Sequence, residues 1–205
     1  MATARSPKPS PRKPRRQIPL PEDIEMFVFH NVSWETYLQL DRLLEDTGRR
    51  LKFCEGKLEL MTLSFNHENA KSIIRSLLET YCLDGGIYFV GVGSTTQRAK
   101  QKYGAEPDES YSFIRGQIKP QLAIEVVVSS RMGVNRFKLY AGLGVSELWV
   151  WQRGKLLAKA LQRGRYVDIR QSRHLPGLDL KLVEELSGYP SAFDAVVEFR
   201  RRRKK

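Results

Sequence analysis

Thiols are scarce in this 205-residue chain: Cys54 and Cys82 are the only cysteines, and they form neither a CxxC pair nor a metal-ligand spacing. Both sit in apolar surroundings, which argues for buried, reduced thiols rather than a disulfide, and for a reducing, cytoplasmic compartment. No stretch approaches eighteen consecutive apolar residues, so no membrane-spanning helix is expected. The first sixteen residues, MATARSPKPSPRKPRR, contain no acid and no apolar run of the kind a secretory signal carries. Their Arg and Ser content superficially fits an organelle transit peptide. Pro7, Pro9, Pro11 and Pro14, however, deny them the amphipathic helix such a peptide needs. Internal repeats are also absent.

Positive charge is abundant, but it is unevenly placed. The formal net charge is +12. Residues 1–16 and the run RRRRKK, Arg200 to Lys205, each hold six basic side chains and no acid, so the two ends account for all of it. The remaining basic side chains match the 23 acidic ones, which leaves residues 17–199 formally neutral. The organisation expected is a disordered basic Pro-rich tail (1–16), a single domain (17–199) and a basic C-terminal tail (200–205). Such tails can hold DNA or RNA through salt-sensitive phosphate contacts, or can simply be solvated ends.

Within the domain, order is expected from about Val32. SWETYLQLDRLLEDTG reads as a helix with Ser33 as N-cap and Gly48 as stop. LKFCEGKLELMTL has the pattern of a hairpin turning at Glu55-Gly56. NHENAKSIIRSLLETYCLDGG reads as a helix capped by Asn66 and ended by Gly85-Gly86. IYFVGVGSTT reads as a strand, QRAKQKYG as a polar loop, and AEPDESYSFI as a further strand or strand edge. LAIEVVV is apolar almost throughout, as in a central strand covered on both faces. A short helix, VNRFKLYAGLGV, with Phe137, Tyr140 and Ala141 as its apolar stripe, precedes ELWVWQ and KLLAKALQ, which pair around Arg153-Gly154. RYVDIR adds a strand, and DLKLVEEL and PSAFDAVVEFR are closing helices. The order predicts a mixed α/β (α+β) domain with one central mixed β-sheet flanked by helices.

The most apolar of these strands carries a glutamate in its middle. Glu125 shares a face with Ala123 and Val127, and a buried carboxylate needs a partner, a proton or a metal ion. An ion pair is the ordinary answer. The metal alternative is raised by AEPDESY in the preceding strand, where Pro107 orients the chain into Asp108, flanked by Glu106 and Glu109. Two carboxylates on neighbouring strands offer the hard oxygens that Mg²⁺ prefers. A metal there lowers the pKa of a bound water and neutralises charge on a phosphate. The other reading of EPDES, the lesser of the two on spacing alone, is a polar turn.

GSTTQR, GAEPDESY, LAIEVV, FKLYAGLGV, ELWVWQRGKL and LPGLDL follow one another in an order that resembles the Uma family of putative restriction endonucleases, a branch of the PD-(D/E)XK nuclease superfamily. VSWETYLQL and CEGKLELMTLSFNHENA extend the resemblance, which spans Val32 to Leu180. It implies a restriction-endonuclease-like mixed sheet flanked by helices, and Mg²⁺- or Mn²⁺-dependent hydrolysis of DNA phosphodiester bonds. It places the PD aspartate on Asp108 and the acid of (D/E)xK on Glu125, as metal ligands. The lysine position of that motif holds Val127, and the resemblance transfers the lysine role to Lys138. A fourth polar residue is sought at Glu68 beside His67, or at Glu59. An ammonium beside a metal-bound water favours hydroxide and stabilises the phosphorane.

Two departures from the family pattern stand out. Lys52 occupies a position before the hairpin where many members carry glutamate, and Gln121 one where many carry aspartate. The alternative function is a catalytically degenerate nuclease fold that binds nucleic acid without cutting it. For DNA contacts the candidates are Arg98, Lys100 and Lys102, with Arg115, near the Asp108 strand, and Arg131 and Arg136 near Glu125. A homodimer is compatible with double-strand cutting, which takes two sites.

Overall fold

The computed structural model describes residues 26–45, 47–62, 64–93, 95–128 and 133–203. The N-terminal tail reading and Arg131 fall outside them. Eleven strands and five helices are present among these residues. In chain order they begin β1 (Met26–Phe29), α1 (Trp34–Leu43), β2 (Arg50–Cys54), β3 (Lys57–Met61) and α2 (Phe65–Asp84). Next come β4 (Val90–Gly91), β5 (Gln97–Ala99), β6 (Tyr103–Ala105), β7 (Glu109–Ser112) and β8 (Leu122–Val127). The rest are α3 (Arg136–Leu143), β9 (Glu147–Gln152), β10 (Lys155–Gln162), β11 (Arg165–Asp168), α4 (Leu180–Leu186) and α5 (Ala192–Arg203).

Local chemistry set many of these boundaries. Ser33 caps α1 by accepting from the Thr36 N–H at 3.1 Å, and Gly85 follows α2 as its C-cap. Gly144, in the left-handed region at φ 76°, ends α3. The hairpins β2–β3 and β9–β10 turn at Glu55-Gly56 and Arg153-Gly154, as their sequences predicted.

Elsewhere tertiary context prevailed. Ser64, not Asn66, caps α2, because helix begins at Phe65 and the Ser64 hydroxyl accepts from His67 N–H. QRAKQKYG, predicted as a loop, forms β5 and β6 joined by a tight turn at Lys100-Gln101, both with positive φ. β1 precedes the expected start of order and pairs with β3. In α3 the residues buried are Leu139, Tyr140 and Leu143, so Phe137 stands at the edge of the packed face. Arg200 to Arg203, set apart by charge as a tail, are the last turn of α5. There they pair with Asp84, Glu198 and Glu185.

The mixed architecture is as expected, but the strands divide between two sheets. One runs β1-β3-β2-β6-β5 and the other β11-β10-β9-β8-β7-β4. In the second, β8 lies parallel to β9 and antiparallel to β7, so it is central. Leu122, Ile124 and Val126 face a cluster built with α2, α4 and α5. Ala123, on the opposite face, joins Leu139, Tyr140 and Leu143 of α3 and Cys54 and Ala105 of the first sheet. Covering both faces explains the apolar run of β8. Each fully buried Leu or Ile in these layers stabilises by about 1.5–3 kcal/mol. The far face of β2–β3 packs Leu51, Phe53 and Leu58 against Tyr37 of α1. No helix among the described residues is long and apolar enough to cross a membrane.

Tyr37 reaches so close to β6 that a Cβ on Gly104 would overlap its ring. Gly104→Ala should therefore destabilise the protein by about 1–3 kcal/mol through overpacking, read as a lower midpoint in urea denaturation.

Candidate active site

The site is assembled by alternation. In the β2–β3 hairpin Lys52 stands opposite Glu59, and on its other side opposite Ala105 of β6. Leu51 and Phe53 turn to α1, so Lys52 and Glu59 point the other way, toward α3 and β8. Glu125 comes from β8 on the face it shares with Ala123. Asp108 lies in the short connection between β6 and β7, just before Glu109 pairs with Ile124. It accepts the Val126 N–H at 2.7 Å, so this side chain extends the ladder where β7 has no residue to offer.

These residues meet in the interior. Lys52 Nζ is 3.1 Å from Glu125 Oε2. Arg136, the first residue of α3, donates from Nε to the same oxygen at 3.1 Å and from a terminal nitrogen to Glu59 Oε1 at 2.9 Å. The Tyr140 hydroxyl donates to Glu125 Oε1, and the Val134 N–H to Glu59 Oε2 at 2.9 Å. A Cβ on Gly133 would fall on that Glu59 oxygen, which is why glycine stands there. His67 of α2 places Nε2 3.1 Å from Asp108 Oδ2 and Nδ1 3.1 Å from Glu68 Oε1. Lys52, Glu59, His67 and Glu125 are fully buried, and Asp108 is 2% exposed.

Burial opposes charge on Asp108 and on Glu125, and the outcome differs between the two acids. Burial works against Asp108, yet Lys52, His67 and the Val126 N–H hold it ionised, well below the usual carboxylate range. Burial pushes Glu125 up, reinforced by Asp108 and only partly offset by Lys52 and Arg136. Lys52 stays charged although buried, because Glu125 and Asp108 both attract it. His67 is likewise held above its ordinary value by Asp108 and Glu68 despite burial. Two neighbouring carboxylates with affinities for protons driven apart are the arrangement acid–base chemistry uses.

Of the residues named from sequence, Asp108, Glu125, Glu59 and His67 converge, and Glu68 touches His67 from the surface. Lys138 does not join them. Its side chain is 54% exposed and pairs with Glu55 at the hairpin turn, because α3 turns that position outward. The cations at the carboxylates are Lys52 and Arg136. Arg136 bridges Glu59 and Glu125 from inside and also borders an open cavity. Lys100 and Lys102 sit exposed at the β5–β6 turn, Arg98 pairs with Asp41, and Arg115 stacks over Tyr88. Lys52 and Tyr140 were missed as site residues. The available signal was the hairpin itself, whose turn at Glu55-Gly56 sets Lys52 opposite Glu59.

The model of one family, described as a putative restriction endonuclease and designated Uma2, matches residues 34–192. This chain belongs to the Uma2 family. No curated protein matches it. Uma2 membership agrees with the fold, and proteins of restriction-endonuclease-like families generally use divalent metals. Nothing in the match bears on a homodimer. Among the described residues no three His, Cys, Asp or Glu side chains form a metal-ligand group. The donors present suit a lighter site, since Mg²⁺ is commonly held by one or two carboxylates with waters and substrate phosphate. The Lys52 ammonium, attracted by both Asp108 and Glu125, marks where positive charge is stabilised.

Removing one member of this buried pair should be costly. Lys52→Met is expected to destabilise by about 3–5 kcal/mol, because it takes from buried Glu125 and Asp108 a cation that both attract. In Lys52→Met/Glu125→Gln the loss should be smaller than the sum of the single losses, by about 0.5–3 kcal/mol in a urea-denaturation cycle.

Proposed function

We propose that this chain is a divalent-metal-dependent endonuclease that hydrolyses DNA phosphodiester bonds at Asp108, Glu125 and Lys52. The observation that carries this reading is the convergence of Glu125 and Asp108 on one ammonium. Lys52 thereby supplies the charge that Val127 cannot, from a strand of the other sheet. Magnesium or manganese held by Asp108 and Glu125 would supply an acidified water and neutralise charge on the phosphate.

The chain's own residues do the rest. Asp108, held ionised, keeps its negative charge for the cation. Glu125, with its raised proton affinity, can take a proton from the attacking water at its carboxylate. The Lys52 ammonium can donate to an oxygen on which charge develops. Tyr140 and Arg136 clamp the two Glu125 oxygens and fix the carboxylate plane. Arg136 also lines a cavity of about 610 Å³ with Val127, Val134, Phe137 and Val150, which offers the scissile group a way toward Glu125.

A second reading, a degenerate nuclease fold that binds nucleic acid without cutting it, is favoured by one observation. Both Glu125 oxygens are already engaged by Lys52, Arg136 and Tyr140, and the cluster is closed to solvent.

Plasmid and linear DNA with Mg²⁺ or Mn²⁺ separate the two. Under the leading reading the wild type cuts, and Asp108→Asn and Glu125→Gln lose on the order of 10²-fold or more. Lys138→Ala should lose far less than either, since its side chain borders the approach cavity but lies outside the buried cluster. Folding of each variant is checked by circular dichroism. Equal cutting by wild type and Glu125→Gln would sink the assignment, and a folded wild type that binds DNA but cuts with neither metal would establish the second reading.

A further inference from the structure

A second cavity, of about 440 Å³, opens at the end of the first sheet where β2 and β5 begin. Arg42 of α1, Arg49, Arg50 and Arg98 line it together with the hydroxyl residues Thr95 and Thr96. Its acids are Asp41, Glu45 and Glu106. Two of the three are engaged. Asp41 pairs with Arg98, while Glu106 takes Arg50 at 2.5 Å and the Thr96 hydroxyl at 2.9 Å. Arg42 and Arg49 are exposed on the rim, and none of the described acids forms an ion pair with either. Gly48, in the left-handed region at φ 71°, makes the turn that delivers Arg49 and Arg50 to this edge.

Asp41 and Glu106 compensate Arg98 and Arg50, which leaves the guanidinium groups of Arg42 and Arg49 at the rim for an anion from outside. Guanidinium matches phosphate oxygens in paired, planar hydrogen bonds, which an ammonium cannot do. The position also matters. Glu106 stands two residues before Asp108 with Pro107 between them, and Arg50 stands two before Lys52 on the same face of β2. The cavity of Arg136 lies toward the opposite, turn end of the same hairpin, where Cys54, Glu55 and Lys57 line it. The buried cluster therefore lies between the two openings.

We infer that the arginine cavity binds a backbone phosphate of the nucleic-acid strand, one that is not itself cut. This rests on the nuclease reading for the identity of the strand, while the anion chemistry stands on the cavity alone. One member of the earlier basic set, Arg98, serves here, joined by Arg42, Arg49 and Arg50.

The test is fluorescence anisotropy of a labelled DNA duplex with the full chain, titrated in salt. Wild type is compared with Arg42→Ala/Arg49→Ala, with Arg42→Lys/Arg49→Lys, and with Arg201→Ala/Arg202→Ala on α5, which loses equal charge elsewhere. The slope of log affinity against log salt should fall in magnitude by about 0.9 for each phosphate contact removed in the alanine pair. The lysine pair should restore most of it, and the α5 pair should leave it near wild type. An unchanged slope in the alanine pair, or an equal fall in the α5 pair, overturns the inference. Inorganic phosphate provides the other arm. If it binds wild type but not the alanine pair, while DNA affinity is the same for both, the cavity takes a small anion and the nucleic-acid assignment is overturned. A wild type that fails to cut DNA while the slope still falls would remove the nuclease reading and leave this site standing.

Discussion

Everything at the centre of this domain depends on keeping Glu125 inside it. A carboxylate in the middle of a strand covered on both faces costs several kcal/mol unless positive charge comes to it. Two elements bring that charge: β2 carries Lys52 and α3 begins with Arg136. Lys52 could not reach Glu125 if the first sheet did not pack against the second, whereas Arg136 arrives on the helix that links β8 to β9. The contact between sheets is thus as much electrostatic as apolar, with Cys54, Ala105 and Ala123 providing small surfaces beside the charges.

The same interaction organises what surrounds it. Glu59, opposite Lys52, needs its own partners and finds them in Arg136 and the Val134 N–H. That ties the segment before α3 to the hairpin and forces glycine at position 133. Asp108 is drawn in by Lys52 and fixed by His67 and the edge of β8. The outcome is a compact set of acids and bases in which one carboxylate is held ionised and the other is biased toward its proton. Scaffold and proposed chemistry share the same charges here, because Lys52 and Arg136, which meet Glu125, also join β2 and α3 to β8.

Much of the fold was legible in the sequence where signals were local. Ser33 as a cap, Gly85 after α2 and the Glu-Gly and Arg-Gly hairpin turns depend on a few neighbouring residues. The β5–β6 hairpin was not legible, since QRAKQKYG is polar and its turn uses Lys100 and Gln101 at positive φ without glycine. The arginines of α5 misled for a related reason. A run of like charge looks like a solvated tail until Asp84, Glu185 and Glu198 are seen beside it. At the site, Asp108 and Glu125 could be named because each sits in a distinctive local setting, an acid after proline and an acid among valines.

The sequence alone therefore singled out Asp108 and Glu125, and showed that one strand would need compensation for a buried charge. It could not determine which cation supplies it. Lys138 and Lys52 are both lysines beside apolar residues, and only the phase of α3 and the crossing of the two sheets distinguish them. The helix turns Lys138 to solvent and Glu55, whereas alternation along β2 turns Lys52 inward to Glu125. Such a choice belongs to tertiary structure because an ion pair forms between side chains close in space, and here its partners come from separate sheets.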